Sequence, residues 1–448
     1  MMRRFDFPDP LALLTGCVLL GAILSYVLPA GRYERRADPA TGREVVVAGT
    51  YHHVARTPVG PFQTLVAIPK GAEDAASVIF LVFLAGAAFT VVDRTGALRR
   101  GVDMLVSACR DHPELVIPAS CLAFATAGAL ENMQEEIIAL VPVLIILTRR
   151  AGFDALTAVA MSIGAASVGA AFSPIDPFQV QIAQKLAGLP LLSGAQFRTA
   201  FLIVAVGFWI FGTVRHAQRH RIVPTSEDAP ATEASGGRQV IVLGVVVAAF
   251  VFLVLGILRW GWDFDQLTAL FLLMGIAAGL IGGLRVSGTA AGFAEGFRSM
   301  AYAAMLIGFA RAIYVVLAQG QIVDTIVHGL FTPIAHLPVA LAAVGMLGVQ
   351  TLVHVPVPSV SGQAVLTMPV LVPLSDLLGL SRQITVLAYQ YGAGLCELLT
   401  PTNGALMAVL VAAGVKYDRW LRFAVPMWGG LILLGIIAIA AANAIGLR

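Results

Sequence analysis

Long apolar runs separated by polar segments extend along almost the whole chain. A helix needs about 20 predominantly apolar residues to cross a bilayer, so these runs predict about nine spans. Two of the nine, within segments 156–189 and 385–415, are broken by proline at Ser173–Pro177 and Thr400–Gly404. The uninterrupted spans are Pro10–Leu28, Ala76–Val92, Phe197–Val214, Val240–Leu258, Leu267–Leu284, Met300–Leu317 and Phe423–Ala442.

Two further apolar segments turn around polar clusters. Segment 114–149 contains Glu131–Glu136, and segment 338–377 contains Val355–Gln363. Arg110 and Arg149 flank the first segment, and basic residues favour the inner side of the membrane, so both of its ends are predicted on that side. We therefore predict re-entrant hairpins in both segments, entering from opposite sides.

The two halves of the chain repeat each other. Ser173–Asp176 matches Thr400–Asn403, and Pro142–Leu144 matches Pro369–Leu371, both at an offset of 227. Four arginines lie within residues 94–110, whereas the matching segment 319–337 has no Lys or Arg, so the repeats are predicted to be inverted. The predicted domains are a first repeat (1–214), a cytoplasmic linker (215–238) and a second repeat (239–448), with the N-terminus inside and the C-terminus outside.

Composition narrows the class of protein. Of 448 residues 58% are hydrophobic and 12% are charged, which excludes a soluble enzyme, a nucleic-acid binder and a disordered scaffold. The net charge of +3 is too small to indicate a polyanionic partner. The first apolar run lacks a cleavage site and is expected to be retained, and the polar loop that follows it contains His52 and His53. There is no P-loop, and no cofactor is expected.

Matched breaks in two apolar repeats indicate a secondary-transporter site near the membrane midplane. We expect hydrogen bonds from Asn132, Ser361, Thr402 and Asn403, and negative charge from Glu135, Asp176 and Glu397. The acids favour a cationic or zwitterionic substrate, or a coupling proton or sodium ion, while Arg311 could pair with an acid or bind a carboxylate. The candidate residues are Glu131, Asn132, Gln134, Glu135, Ser173, Asp176, Ser359, Ser361, Gln363, Glu397, Thr400, Thr402 and Asn403.

Two alternatives belong to other classes. Ser361 with His354 nearby could form an intramembrane serine hydrolase, which requires the two side chains to lie within hydrogen-bond reach. The second alternative is a channel, although matched broken helices are more typical of transporters that work by alternating access. We therefore expect a transporter and not an enzyme.

Five motifs resemble the YfcC-type bacterial membrane proteins over nearly the whole chain. They are Ser25–Tyr33, Glu131–Glu136, Ser173–Gly188, Ser359–Gln363 and Thr400–Gly404. The wider group includes anaerobic C4-dicarboxylate carriers and arginine–ornithine antiporters. The resemblance implies an all-α fold of two inverted repeats, with a scaffold and a moving transport domain that works as an elevator. Sodium–dicarboxylate symporters of the same superfamily carry Ser-Asn-Thr at their hairpin tips, where this chain has Glu131-Asn132 and Ser359-Val-Ser361.

The combined prediction is a multi-pass secondary transporter of the bacterial inner membrane. Basic amino acids exchanged as arginine and ornithine are the favoured substrates, and a C4-dicarboxylate or other small carboxylate is the alternative. Expected partners are the small-molecule substrate, a coupling cation, membrane lipid and a second copy of the chain, with no nucleic acid.

Overall fold

The computed structural model describes residues 8–39, 43–98, 100, 101, 104, 115–222 and 237–447. Most of the predicted linker, and most of the arginine-rich segment after the second span, lie outside these residues. The first-half helices are α1 (Pro10–Val27), α2 (Pro61–Asp74), α3 (Ala76–Arg94), α4 (Val116–Glu131), α5 (Glu135–Arg150), α6 (Ala155–Val159, a π-helical turn Ala160–Gly164, and Ala165–Ala171), α7 (a π-helical turn Pro177–Gln181, and Ile182–Leu186) and α8 (Ala195–Arg219).

The second half is also helical. Its helices are α9 (Gly237–Trp260), α10 (Phe264–Ile281), α11 (Arg285–Gln319), α12 (Val323–Phe331, continued by a 3-10 turn Thr332–His336), α13 (Val339–His354), α14 (Val360–Leu377), α15 (Arg382–Cys396), α16 (Gly404–Ala412) and α17 (Tyr417–Ala444). We call residues 131–136 and 355–359 the first and second tips, and residues 172–176 and 397–403 the first and second breaks.

The predicted fold class, an all-α polytopic membrane protein, is confirmed. Seven helices in the described part of the chain are long and apolar enough to cross a membrane: α1, α3, α8, α10, α11, α14 and α17. The two predicted breaks fall between α6 and α7 and between α15 and α16.

The segment between the first two spans is more ordered than its polar sequence predicts. It contains two antiparallel two-stranded sheets and the helix α2. One sheet pairs β1 (Gly31–Arg32) with β4 (His52–His53), and the other pairs β2 (Arg35–Asp38) with β3 (Arg43–Val46). Helix α2 buries Thr64, Ala67 and Gly71, a 3–4 spacing that marks one helical face within an otherwise polar segment.

Equivalent residues of the two halves cap equivalent helices. Asp154 accepts from the Thr157 amide at the start of α6, and Ser381 accepts from the Ile384 amide at the start of α15. At the breaks, Asp176 caps α7 and Asn403 caps α16 in the same way. Each pair is 227 positions apart, the offset found in the sequence repeat.

Close helix contacts join each tip to its neighbouring broken helix. A Cβ built on Gly128 of α4 would lie 2.0 Å from the Ala166 carbonyl oxygen, and one on Gly169 of α6 would lie 2.0 Å from the Ala125 oxygen. In the second half, a Cβ on Gly392 of α15 would lie 2.5 Å from the Leu347 oxygen of α13. Only glycine permits such backbone approaches, as in other membrane helix pairs.

We predict that Gly128→Ala and Gly169→Ala each lower the melting temperature of the purified protein. Overpacking costs about 1–3 kcal/mol, and here the obstacle is backbone that cannot rotate away. Gly348→Ala on α13 is the matched control, because nothing lies within 4 Å of its built Cβ. A thermal shift as small as the control's would contradict the packing described above.

A charged cluster fixes the start of α6 to two later helices. The Asp154 Oδ2 atom lies 2.7 Å from Arg419 Nη2 and 3.4 Å from His216 Nε2. Burial opposes ionisation of Asp154, but hydrogen bonds from His216 and Thr157 outweigh it and lower the pKa of the carboxyl to about 2. The ionised form is therefore the one that this cluster stabilises.

We predict that Asp154→Asn lowers the melting temperature at neutral pH, and that the difference from wild type narrows below about pH 4. A carboxyl whose folded-state pKa is depressed contributes stability above its unfolded value of about 3.9, and that contribution is lost as pH falls through the folded value. Asn keeps the helix cap, so the change isolates the charge. Asp418→Asn, in an exposed pair with Arg422, is the control. Parallel pH profiles for wild type and Asp154→Asn would contradict the assignment.

Candidate functional site

Both tips interrupt the helical backbone at polar residues. In the first tip Asn132 has a φ of 51°, and its amide donates to the Gly128 carbonyl to close α4. Helix α5 then begins with Glu135 and Glu136, whose charges suit the positive end of a helix dipole. In the second tip the Ser359 hydroxyl accepts from the Gly362 amide at 3.2 Å and caps α14.

The breaks are held by side chains in place of helical hydrogen bonds. Asp176 Oδ1 accepts from the amides of Phe178 and Gln179 at 2.7 and 3.0 Å. Ser173 Oγ accepts from the Asp176 amide and donates to the Ala129 carbonyl of α4. These hydrogen bonds connect the first break to α4, the helix that leads into the first tip.

A cavity of about 460 Å³ lies where the tips and the second break meet. Its walls also include α10, α11 and β3. Nine of the predicted site residues line it: Glu131, Asn132, Gln134, Glu135, Ser359, Ser361, Glu397, Thr402 and Asn403. The other four are not among the residues that line it: Ser173 and Asp176 hold the first break, Thr400 contacts Thr402, and Gln363 contacts His354.

Amide side chains connect the first tip to the second break. Gln134 Nε2 donates to Glu397 Oε2, and Asn403 Nδ2 donates to Gln134 Oε1 at 3.1 Å. Asn403 Oδ1 meanwhile accepts from the Leu406 amide, which fixes the orientation of its own side chain. Because Gln134 and Glu397 are 263 positions apart, this contact joins the two repeats directly.

A second series of polar side chains begins at Glu397 and runs through His354 and Gln363. His354 Nε2 is 3.7 Å from Glu397 Oε1, and His354 Nδ1 is 2.7 Å from Gln363 Oε1. Gln363 Nε2 donates to the Gln350 carbonyl at 2.8 Å, and Gln350 Nε2 donates to Thr367. All four residues beyond Glu397 are fully buried.

The charges around the cavity are mainly negative. Its acidic residues are Asp74, Glu131, Glu135, Glu136, Asp263 and Glu397, and its basic residues are Arg43 and Arg311. Arg311 forms an ion pair with Asp74 and lies over the Tyr314 ring at 5.1 Å, so the expectation that it pairs with an acid is met. In the part of the chain that the structure describes, no three His, Cys, Asp or Glu side chains are arranged to hold a metal ion.

A second cavity of about 600 Å³ adjoins the first, and Arg311, Pro358 and Ser359 line both. The β-strand segment forms one of its walls and is fixed to α12. The Asp324 carboxylate accepts hydrogen bonds from the Tyr33 amide and from the Arg35 guanidinium, each at 2.9 Å. Burial, followed by the Asp324 charge, raises the pKa of the Tyr33 hydroxyl to about 12.

The serine-hydrolase arrangement does not form. Its requirement was a hydrogen bond between Ser361 and His354, but His354 Nδ1 contacts Gln363 and His354 Nε2 has no hydrogen-bond partner. Ser361 lines the cavity, whereas the imidazole faces Glu397 behind it.

Some residues of the site have only a weak signal in the sequence. The motif around Ser361 marks His354 only as a possible catalytic base, although a histidine inside the apolar run before the second tip is itself a signal of buried polar chemistry. Arg43, Asp74 and Asp263 reach the cavity from segments that carry no break, so their sequence context gives no signal.

An apolar all-α chain whose two tips and second helix break meet at one polar cavity defines a polytopic membrane transport protein. Comparison with known proteins agrees with that class. The chain belongs to the C4-dicarboxylate anaerobic carrier (DcuC) family, whose model matches residues 7–444.

Two relatives cover nearly the whole chain. A protein of Escherichia coli (strain K12) named "Putative basic amino acid antiporter YfcC" is 30% identical, over 99% of this chain and 98% of its own. An uncharacterized protein of Haemophilus influenzae is 28% identical, over 97% and 96%. The resemblance to YfcC-type proteins is thereby confirmed.

Two solved transporter structures align at lower similarity. The YdaH transporter of Alcanivorax borkumensis has a TM-score of 0.45 and 17% identity, covering 98% of this chain and 99% of its own. The antimetabolite efflux pump MtrF of Neisseria gonorrhoeae has a TM-score of 0.41 and 16% identity, covering 97% and 95%.

We predict that Asn403→Asp lowers the melting temperature at neutral pH and that mild acidification partly restores it. The new carboxylate retains the α16 cap but loses the amide donor to Gln134, and it adds a negative charge beside Glu397. A buried acceptor left without its donor costs about 1–3 kcal/mol. Asn443→Asp at the exposed end of α17 is the control. Equal thermal shifts for the two variants would contradict the contact between the repeats.

Proposed function

We propose that this chain is a secondary active transporter that binds a small basic amino acid in the central cavity and exchanges it, as arginine for ornithine. The observation that carries the proposal is the excess of carboxylates around that cavity, six acidic residues against two basic ones. Glu131 and Glu135 of the first tip would bind the substrate's cationic groups. Arg311 or Arg43, on the facing elements, would bind its carboxylate.

The volume of the cavity, about 460 Å³, and its polar lining are consistent with such a substrate. Small-molecule sites usually measure about 300–1,000 Å³ and contain a few convergent polar groups. The name of the Escherichia coli relative describes the same substrate class for that protein.

A small dicarboxylate is the second candidate, favoured by two observations. The family is described as C4-dicarboxylate carriers, and Arg311 and Arg43 both line the central cavity. In that case the arginines would bind the substrate, and the tip carboxylates would serve a coupling cation, either a proton or sodium.

We further propose an elevator mechanism, in which the tips and breaks move with α8 and α17 against a scaffold of α1–α3 and α9–α11. One observation in its support is a separate apolar core shared by α3, α9 and α10. Another is the close approach of Gly404 on α16 to Ile307 and Ala310 on α11, where glycine presents no side chain that would interlock with α11. A scaffold of this kind is commonly braced by a second copy, so we propose a homodimer.

The proposed location is the bacterial inner membrane, with the N-terminus in the cytoplasm. The arginine-rich segment after α3 supports this orientation, because basic residues accumulate in cytoplasmic loops. The β-strand segment would then lie outside, next to the entrance of the adjoining cavity.

We predict that purified protein in liposomes loaded with ornithine takes up labelled arginine, and that succinate inside the liposomes does not replace ornithine. Glu135→Gln should reduce the rate about tenfold or more, since a charged hydrogen bond to the substrate is worth about 1.5–3 kcal/mol. Glu73→Gln, an exposed residue outside both cavities, is the matched control. Succinate exchange without arginine exchange would reject the basic amino acid and favour the dicarboxylate.

A further inference from the structure

His354 and Glu397 form a buried contact in which the neighbouring groups determine which atom carries a hydrogen. The His354 side chain is fully buried and that of Glu397 is 9% exposed, with Nε2 and Oε1 3.7 Å apart. His354 Nε2 has no hydrogen-bond partner. The neighbouring amides determine which atom in this pair can carry a hydrogen.

The tautomer of His354 follows from Gln363. The Gln350 carbonyl oxygen is an obligate acceptor, so the Gln363 atom 2.8 Å from it must be the NH₂ group. The Gln363 oxygen then faces His354 Nδ1 at 2.7 Å, and that nitrogen must carry the hydrogen. In a neutral imidazole the other nitrogen, Nε2, is therefore a bare acceptor.

The hydrogen bonding of the Glu397 carboxylate follows in the same way from Asn403, the residue that caps α16. The Leu406 amide is an obligate donor, so the Asn403 atom that it contacts is the oxygen. The Asn403 NH₂ group then donates to the Gln134 oxygen, which leaves the Gln134 NH₂ group to donate to Glu397 Oε2. The remaining carboxylate oxygen, Oε1, is the one that faces His354 Nε2.

Two acceptors facing each other in a buried site repel unless a proton lies between them. We propose that Glu397 and His354 form a shared proton site and that its proton is the ion coupled to transport. Binding adds one proton to Glu397 Oε1 or to His354 Nε2 and forms an O–H···N or N–H···O bond. Release returns that proton to water and leaves a carboxylate beside a neutral imidazole. The proposal rests on the transport function proposed above.

Other ionisable groups face this pair. Glu135 on α5 and Asp176 at the first break interact with Glu397 by charge repulsion. On α15, Cys396 and Tyr389 lie within the influence of the Glu397 charge. The repulsion from the two carboxylates favours the protonated pair, whereas a cation held at the first tip would relieve it. Substrate binding and proton release would be coupled through these charges.

The first test needs no substrate. Infrared difference spectra of the protein in lipid nanodiscs, recorded as pH is changed, should show a titrating buried carboxyl or imidazolium signal. That signal should be lost in Glu397→Gln and lost or shifted in His354→Gln. The exposed His336→Gln is the matched control and should resemble wild type. A signal unchanged in Glu397→Gln or in His354→Gln would overturn the shared site.

The second test measures coupling in sodium-free liposomes, with arginine as the probe. At one proton per substrate, a pH difference of one unit is worth about tenfold in substrate gradient. In liposomes without ornithine, wild type and His336→Gln should accumulate arginine in response to that gradient. His354→Gln should lose this response and retain arginine–ornithine exchange in ornithine-loaded liposomes. Arginine flux that ignores the pH gradient, requires sodium, or keeps its response in His354→Gln would overturn the inference. An absence of all arginine and ornithine flux in wild type, both without and with added sodium, would instead reject the proposed function, while the infrared result would still decide the proton site.

Discussion

Backbone groups freed at a helix break inside a membrane must find partners within the protein, and this constraint organises the centre of the molecule. Asp176 and Asn403 satisfy the amides that begin α7 and α16. Gln390 of α15 donates to the Ser173 carbonyl, so a residue of the second repeat provides the hydrogen-bond partner for a backbone group of the first break. The residues that satisfy these groups therefore also fix the two breaks relative to each other, which makes the cavity a product of backbone hydrogen bonding.

The two repeats have equivalent helix caps, but they differ in the distribution of charge. At the same offset of 227, Asp176 corresponds to Asn403, Asp154 to Ser381 and Glu136 to Gln363. Each of these three ionisable residues of the first repeat thus has a neutral polar counterpart that can also form hydrogen bonds. Caps and turns survive this exchange because Asn and Ser accept from backbone amides as Asp does. A symmetric fold can thereby present an acidic first tip opposite a largely neutral second tip.

Local signals explain how much of this could be predicted. The length of an apolar run and the position of a proline are properties of the sequence, so the spans and breaks could be located directly. The pairing of Asp74 with Arg311 joins residues 237 positions apart, and no local pattern encodes it. The same holds for His354, whose neighbours in sequence are apolar but whose partner is Glu397. Helix α2 cannot be located from hydrophobic pattern, because its buried face consists of Thr64, Ala67 and Gly71, which contribute little hydrophobicity.

The arrangement around Glu397 separates two electrostatic tasks, substrate binding and proton binding, that the proposed function requires. Gln134 donates to the Glu397 carboxylate and Asn403 orients Gln134, but amide dipoles cannot remove the charge of the carboxylate. Moving an isolated charge through a low-dielectric region is costly, so a moving carboxylate needs a cation or a proton. Glu131, Glu135 and Glu397 all line the cavity, but the two carboxylate oxygens of Glu397 face protein groups, Gln134 on one side and His354 on the other. A buried acid with an imidazole as its neighbour suits a proton better than an amino acid, because a proton needs no space.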